Sequence, residues 1–215
     1  MISAYDLNEM WLPLSNPPPQ YPVTAVTLQT LKSSNIFVSK DAFTCEKLML
    51  IIQGSGAVRA GMWARALCMN ESLETGTIFN YLKQAKQENY GVVVFNPNLN
   101  RVPKKLDPLA FTRNGFFTTQ KPKPLRRDDC EDIAKNSSPP EHVIHVWDEI
   151  VEKMCTAAKD IVIVAHSAGG YCTMELLRNR YDQVKQRVRG IGFTDSVHSV
   201  ERNDTPQVKQ FVMQN

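Results

Sequence analysis

The sequence lacks a long hydrophobic segment, and this absence excludes most classes of membrane protein. Its longest apolar runs, residues 48–52 and 161–165, are far shorter than the roughly 20 apolar residues that a membrane-spanning helix needs. The first residues, MISAYDLNEMWLPL, have neither the basic start nor the continuous apolar stretch of a secretory signal. We therefore expect a soluble intracellular protein that makes no membrane contact.

Cysteines at metal-binding spacing and a strong net charge are also missing. The five cysteines are scattered and odd in number, and the sequence has no Cys-x-x-Cys pair. This argues against structural zinc and against a disulfide framework, so we expect no metal and no cofactor. A formal net charge of +3 indicates neither an acidic partner nor nucleic acid. With 215 residues, 42% of them hydrophobic, the chain is long enough for one globular core.

Short apolar runs alternate with segments that have helical spacing. The runs have the composition of strands buried on both faces. The best-specified helix begins at Ser138, which stands three residues before Glu141 in a capping-box pattern and is followed by Pro139. This alternation predicts an α/β fold with a doubly wound, mostly parallel sheet. The predicted strands are 47–53, 90–96, 160–165 and 189–194, and the predicted helices are 78–85, 138–154, 168–181 and 205–213.

Two segments interrupt this pattern. Residues 1–35 contain three consecutive prolines and little periodicity, so an irregular amino-terminal segment is expected, apart from a candidate strand at 23–28. The domain proper is expected over 36–215, with a flexible insertion at 97–137 that contains nine Lys or Arg and five Asp or Glu. The basic tract at 121–127 has the composition of a nuclear import signal or a phosphate contact, although a solvated loop has the same composition.

The segment IVIVAHSAGG, residues 161–170, has the pattern of a strand, a tight turn and a helix. It matches the nucleophile elbow of α/β-hydrolases, with Ala165 in place of the usual first glycine. Small residues two positions either side of Ser167 allow the strand and the helix to approach closely. The N–H of Ala168 is then a candidate oxyanion donor at the start of the helix. A turn of this kind can also have a purely structural role, as a tight connection between the strand and the helix.

Gly54, Ser55 and Gly56 follow the first core strand and are the candidate oxyanion loop, because this loop supplies the second donor in a hydrolase. Asp195 follows the strand after the elbow helix and is the candidate acid. His198 is the single histidine beyond it, and it stands three residues further on. The acid and the histidine of a triad come from different strand ends, so this arrangement leaves the triad incomplete. Ser167 and Asp195 are therefore vestigial catalytic candidates.

Several blocks of the sequence carry a family resemblance. The most specific is GSGAVRAGMWAR at 54–65, followed by GVVVFNPN at 91–98. With EHVIHVWD at 141–148, AHSAGG at 165–170 and TDSVH at 194–198, the sequence resembles the Argonaute-binding-protein (Arb) domain. That domain occurs in the cotranscriptional regulators formerly called family with sequence similarity 172. The resemblance covers about residues 36–200.

The resemblance implies an α/β-hydrolase-like fold without an established hydrolytic activity. It also implies a role in Argonaute-dependent RNA silencing, heterochromatin and alternative-splicing regulation. Argonaute-type and chromatin-associated proteins are the partners implied, and the nucleus is the location, with the cytoplasm as a second one. Because the family continues past residue 215 through further strands and a later histidine-containing segment, we expect a truncated member that lacks the carboxyl-terminal strands.

Two functions from different classes follow from these observations. The first is a non-enzymatic regulatory protein, favoured by the resemblance and the incomplete triad. The second is a serine hydrolase, an esterase or thioesterase that uses Ser167, favoured by the elbow and the Gly54–Gly56 loop. Direct nucleic-acid binding is not expected, because the sequence has no aromatic RNA-binding signature and no basic stripe on a helix.

Overall fold

The structure is a computed structural model that describes residues 5–14, 32–56, 58–105 and 126–214. Its centre is a six-stranded sheet in the order β1-β2-β4-β3-β7-β8. The strands β3, β4, β7 and β8 are parallel to one another, whereas β2 is antiparallel to both β1 and β4. The mixed α/β class and the mostly parallel sheet are thus confirmed. The sheet strands are β1 (Leu7–Leu12), β2 (Ser34–Ser39), β3 (Lys47–Ile52), β4 (Tyr90–Val94), β7 (Asp160–His166) and β8 (Val188–Thr194).

The central strands lie where the apolar runs predict them. β3 lies between β4 and β7, and Leu50 pairs with Val93 on one side and with Ile163 on the other. All three side chains are buried, because both faces of this part of the sheet are covered. Within the described residues β8 has a strand neighbour on one side alone, so it forms an edge of the sheet.

The amino-terminal part differs from the sequence expectation. β1 lies inside the segment 1–35 that was expected to be irregular, and β2 begins before residue 36. A six-residue strand with a weak alternation gives little local signal, and β1 is defined by its pairing with β2, from Leu7 opposite Ser39 to Leu12 opposite Ser34. The candidate strand at 23–28 lies outside the described residues.

Helices cover both faces of the sheet. The helices are α1 (Arg65–Asn70), α2 (Leu73–Gly76), α3 (Phe79–Gln87), α4 (Pro139–Val146), α5 (Ala168–Arg187) and α6 (Pro206–Gln214). One face of the sheet carries α4, α5 and α6 over Leu48, Leu50 and Ile52, and the other face carries α3 over Met49 and Ile51. None of the helices among the described residues is long and apolar enough to cross a membrane.

The helix after Ser138 starts as the capping pattern predicts. The Ser138 hydroxyl accepts a hydrogen bond from the Glu141 N–H at 3.3 Å, and Pro139 occupies the first turn. The predicted continuation to residue 154 is partly π-helical, because Trp147–Glu152 has the wider π-helical hydrogen-bonding pattern. Trp147 is fully buried there. The helix predicted over 138–154 is therefore present through residue 152, with a change from α-helix to π-helix in its second half.

The insertion at 97–137 is ordered where the structure describes it. Its two ends form an antiparallel pair of short strands, β5 (Arg101–Pro103) and β6 (Cys130–Asp132). The expectation of a flexible insertion did not include these two strands, because pairing between residues about thirty positions apart gives no local sequence signal. Residues 106–125, with most of the basic tract, lie outside the described part.

Candidate functional site

Ser167 forms the turn between β7 and α5, with φ of 51° and ψ of −124°. A non-glycine residue in this region costs about 1–3 kcal/mol, which neighbouring contacts must offset. Three backbone hydrogen bonds hold it: Ser167 N–H donates to the Thr194 carbonyl at 3.1 Å, and the Ser167 carbonyl accepts from the N–H groups of Val197 and Gly170. The strand, sharp turn and helix predicted around Ser167 are thus all present.

Two glycines allow the Gly54–Gly56 loop and this turn to lie against each other. A Cβ at Gly54 would stand 2.7 Å from the Ser167 Cβ and 3.1 Å from its Oγ. A Cβ at Gly169 would stand 2.3 Å from the Ile52 carbonyl oxygen. Neither position accommodates a larger residue without movement of the backbone or of Ser167. The structure therefore brings Ser167 and the Gly54–Gly56 loop together at the carboxyl edge of the sheet.

Two side chains that sequence reasoning missed brace this loop. The Asn98 side-chain amide donates to the carbonyl oxygens of Gly54, at 2.8 Å, and Val58, at 3.3 Å. The buried Gln53 Oε1 accepts from the Gly61 N–H at 3.1 Å. Asn98 follows a predicted strand inside the block GVVVFNPN, and this position after a strand end was the available signal. Its partners are forty or more residues away in the chain, so the sequence could not indicate its role.

The candidate oxyanion donors are available for hydrogen bonding. Within the described residues, the N–H groups of Ser55, Gly56 and Ala168 form no backbone hydrogen bond. Ala168 is the first residue of the twenty-residue helix α5, whose amino terminus carries partial positive charge. The arrangement could thus accept a negatively charged oxygen beside Ser167, as an oxyanion hole does.

The acid and histidine candidates do not reach Ser167. Asp195 is exposed, with a φ of 44°. His198 stacks on the Phe193 ring at 3.8 Å between centroids, and its Nδ1 hydrogen-bonds with the Ser196 hydroxyl at 3.1 Å. Within the described part of the chain, Ser167 Oγ forms no hydrogen bond with a histidine, and Asp195 forms none with His198. The structure assembles the turn and the loop, but no Ser-His-Asp chain.

The remaining histidines have structural partners. His166 Nδ1–H donates to the Thr194 carbonyl at 2.9 Å, and its ring lies 5.3 Å from the Trp63 ring between centroids. His142 is fully buried, and its Nε2 accepts from the Asn96 N–H at 3.0 Å. Its Nδ1–H donates to Asn136 Oδ1 at 2.7 Å. Burial lowers the pKa of His142 to about 3, so it is neutral and acts as a connector between loops.

Comparison with known proteins identifies the family. A family model described as the Arb2 domain matches residues 22–215. The chain belongs to the Arb2 domain family. This confirms the resemblance inferred from the blocks at 54–65 and 91–98. The chain spans about half the length of the curated relatives that it matches, 46% to 48% of the three described below.

Three Arb2 relatives show the level of similarity. The cotranscriptional regulator ARB2A homolog of Gallus gallus is 39% identical over 78% of this chain and 46% of its own length. The homolog of Dictyostelium discoideum is 38% identical over 82% of this chain and 48% of its own. Cotranscriptional regulator ARB2A of Homo sapiens is 38% identical over 78% and 46%.

Among solved structures, a histone deacetylase from Saccharomyces cerevisiae has a TM-score of 0.48 and 10% sequence identity to this chain. The alignment covers 100% of this chain and 72% of the deacetylase. A likeness of this size assigns neither a fold family nor an activity.

Proposed function

We propose that this Arb2 chain is a non-enzymatic regulatory protein that acts through protein contacts on a hydrolase-like scaffold. The observation that carries the proposal is the separation of the two parts of the candidate site: Ser167 lies in a sharp turn against Gly54, but His198 is stacked on Phe193 and Asp195 is exposed. A serine hydroxyl needs an adjacent base to become a useful nucleophile. The hydrolase-like turn is therefore retained as a joint between strand and helix.

The regulatory context is proposed from the family. The relatives are named cotranscriptional regulators, and the resemblance connects the Arb domain with Argonaute-dependent silencing, heterochromatin and alternative splicing. We infer a nuclear location, with the cytoplasm second, and partners among Argonaute-type and chromatin-associated proteins. These partners are proposed for a chain that covers about half of its relatives' length.

Covalent labelling tests whether the serine is inactive. The complete chain is incubated with a fluorophosphonate probe and compared with Ser167→Ala and with Ser196→Ala, a neighbouring serine as the control. Because Ser167 lacks a base, we expect no time-dependent labelling in any of the three proteins. Saturating labelling that disappears in Ser167→Ala and persists in Ser196→Ala would contradict the proposal.

That result would favour the second candidate function, a serine esterase or thioesterase. The observation on its side is the combination of a strained Ser167, the contact with Gly54 and three N–H groups without a backbone partner. Ester turnover that is lost in Ser167→Ala would establish the esterase function. The base would then be a residue that forms no hydrogen bond with the Ser167 hydroxyl among the described residues.

Co-precipitation tests the regulatory part separately. The tagged chain and its Ser167→Ala variant are used to recover proteins from nuclear extract, which is probed for Argonaute-type and chromatin-associated proteins. We expect both proteins to recover the same partners, because the serine hydroxyl has no chemical role in the proposal. Repeated recovery of neither class contradicts the partner proposal, and recovery that depends on Ser167 contradicts the structural role of the serine.

A further inference from the structure

A surface cavity lies next to the braced loop and shares Gly56 and Asn98 with it, but it does not include Ser167. It has a volume of about 400 Å³, within the usual range for small-ligand sites of roughly 300–1,000 Å³. Its walls come from the segments that follow β3 and β4, at the carboxyl edge of the sheet, where open α/β sheets commonly bind ligands. The lining residues are Gly56, Val58, Arg59, Met62, Arg65 and Asn98.

The charge of this cavity has one sign. Arg59 and Arg65 are its charged lining residues, and neither forms an ion pair within the described part of the chain. Among the described residues, no carboxylate lines the cavity. Two arginines that line one concave surface, with no acidic partner in the described part of the chain, favour an anionic ligand. Five other arginines of the described residues do form ion pairs with Asp or Glu: Arg101, Arg178, Arg180, Arg187 and Arg189.

The backbone around these arginines is held in place. The Met62 N–H donates to the Arg59 carbonyl at 3.0 Å, and the Trp63 N–H donates to the Gly76 carbonyl at 2.8 Å. Asn98 also lines the cavity, and its side-chain amide donates to the carbonyl oxygens of Gly54 and Val58. Because these bonds limit backbone rearrangement, ligand binding mainly has to restrict the two arginine side chains.

We propose that the cavity binds the phosphate group of a phosphoserine or phosphothreonine in a partner protein. A phosphomonoester carries a charge near −2 at neutral pH and accepts the paired N–H donors that a guanidinium presents. Val58 and Met62 supply apolar wall for the adjoining side-chain carbons. None of the described residues that line the cavity is aromatic, so they offer no stacking surface for a base, and this favours a phosphopeptide over RNA.

The inference does not depend on Argonaute partners or on Ser167. Both arginines belong to the block GSGAVRAGMWAR, and neither the oxyanion loop nor the serine turn gives them a role. The phosphate site would thus explain two charged residues that the elbow leaves unexplained.

Fluorescence anisotropy with the complete chain tests the proposal. The probes are a fluorescein-labelled Ala-Gly-phosphoserine-Gly-Ala peptide, the same peptide with unmodified serine, and labelled oligouridine. The variants are Arg59→Gln, Arg65→Gln and Arg59→Lys. Arg202→Gln is the matched control, because Arg202 is exposed and lies outside the cavity. The substitution removes the same charge as Arg59→Gln or Arg65→Gln. Urea unfolding of each variant shows whether the fold is intact.

We expect the phosphopeptide to bind at least about tenfold more tightly than its unmodified form, and each Gln variant to lose about tenfold in affinity. Arg59→Lys should retain part of the affinity, Arg202→Gln should stay within about twofold of the original chain, and inorganic phosphate should compete. Equal binding of the two peptides, or equal losses in Arg202→Gln and Arg59→Gln, would overturn the proposal. Oligouridine that binds more tightly than the phosphopeptide and depends on the same arginines would overturn it in favour of RNA.

Discussion

The turn at Ser167 and the segment that follows β8 lie side by side, but they are held in different ways. Ser167 is fixed by backbone hydrogen bonds and by close packing at two glycines. Gly169 lies against the carbonyl oxygens of Ile52 and Gln53, and Gly54 lies against Ser167 itself. His198 stacks on Phe193 and hydrogen-bonds with Ser196, whose hydroxyl also lies 3.5 Å from the Ser167 carbonyl oxygen, and His198 is exposed. The first region belongs to the packed sheet, and the second rests on its surface.

This difference shows how packing alone can require the small residues of a nucleophile-elbow motif. The small residues around Ser167 are required wherever a helix packs closely on the neighbouring strand, because the Gly169 position touches the Ile52 carbonyl. Packing would require these small residues even if the Ser167 hydroxyl had no chemical role. A catalytic acid and base have no such packing requirement in this fold, so the fold alone does not preserve them. Site geometry, rather than the motif, therefore decides the function.

The largest effect is expected at Gly169. In Gly169→Ala the new Cβ would stand 2.3 Å from the Ile52 carbonyl oxygen and 3.0 Å from the Gln53 carbonyl oxygen. Both obstacles are backbone atoms, so β3 and α5 must separate, and we expect the free energy of unfolding to fall by about 3 kcal/mol. Gly190→Ala is the control, since nothing lies within 4 Å of its Cβ position. Urea unfolding should show a change within about 0.5 kcal/mol there; comparable losses in the two variants would contradict this view of the turn.

The buried histidine should make the packed region sensitive to acid. The pKa of His142 falls from its ordinary value of 6.5 to about 3 because the ring is desolvated. Below pH 6.5 the unfolded chain takes up a proton that the folded chain does not, so this group makes stability fall as the pH decreases toward 3, by up to about 1.4 kcal/mol per pH unit. His142→Gln should be less stable than the original chain at pH 7 by about 2 kcal/mol, through the loss of the bonds to Asn96 and Asn136.

The same variant should unfold with a flatter pH dependence between pH 6 and pH 4, because the group that titrates is gone. Urea unfolding at several pH values measures both effects. A slope in His142→Gln equal to that of the original chain would show that His142 does not stay neutral in the folded protein. Carboxylates titrate in this range too, but they are the same in both proteins.

Sequence reasoning reached the features that depend on local pattern. The buried runs gave β3, β4, β7 and β8, the capping pattern gave the start of α4, and the small residues around Ser167 gave the turn. It did not reach features that depend on distant partners. β1 is defined by its pairing with β2, and the loop is braced by Asn98 from beyond β4.

The candidate site was partly predictable for the same reason. That Ser167 lies beside the Gly54–Gly56 loop follows from two parallel strands whose carboxyl ends share one edge. The stacking of His198 on Phe193 did not follow, since Phe193 lies near the end of β8 and the irregular segment that leads from there to His198 has no preferred geometry. The spacing of Asp195 and His198 predicts that they do not form a triad with Ser167, and it indicates no other partner for either residue.

A smaller effect is expected where the surface segment is attached. The Arg178 guanidinium bonds both Asp204 oxygens, at 2.7 and 3.0 Å, and also the Ser199 carbonyl at 3.1 Å. The hydrogen bond from Arg178 lowers the pKa of the Asp204 carboxyl below its ordinary value. In Arg178→Ala we expect a loss of about 2 kcal/mol and faster proteolysis between residues 196 and 204, because a nearly buried carboxylate loses its partner.

The control for that change is Lys153→Ala, which breaks the exposed ion pair with Glu149. It should cost no more than about 0.5 kcal/mol and leave the cleavage pattern unchanged. Equal losses for the two pairs would mean that the segment is not fastened through Arg178.

The smallest effect is expected at Gly170, next to the position with the largest. A Cβ at Gly170 would stand 1.8 Å from Ser196 Oγ and 3.2 Å from the His198 Cβ. Unlike the carbonyl that faces Gly169, the closest obstacle is a hydroxyl on an exposed segment that can rotate or move away. Alanine also gains about 1 kcal/mol over glycine in a helix, which offsets part of the displacement. We therefore expect Gly170→Ala to change the free energy of unfolding by less than about 1 kcal/mol.

Combining Gly170→Ala with Ser196→Ala should remove the remaining loss of stability, which a double-mutant cycle measures by urea unfolding. A loss at Gly170 as large as that at Gly169, unrelieved by Ser196→Ala, would show that the segment after β8 is as firmly packed as the turn.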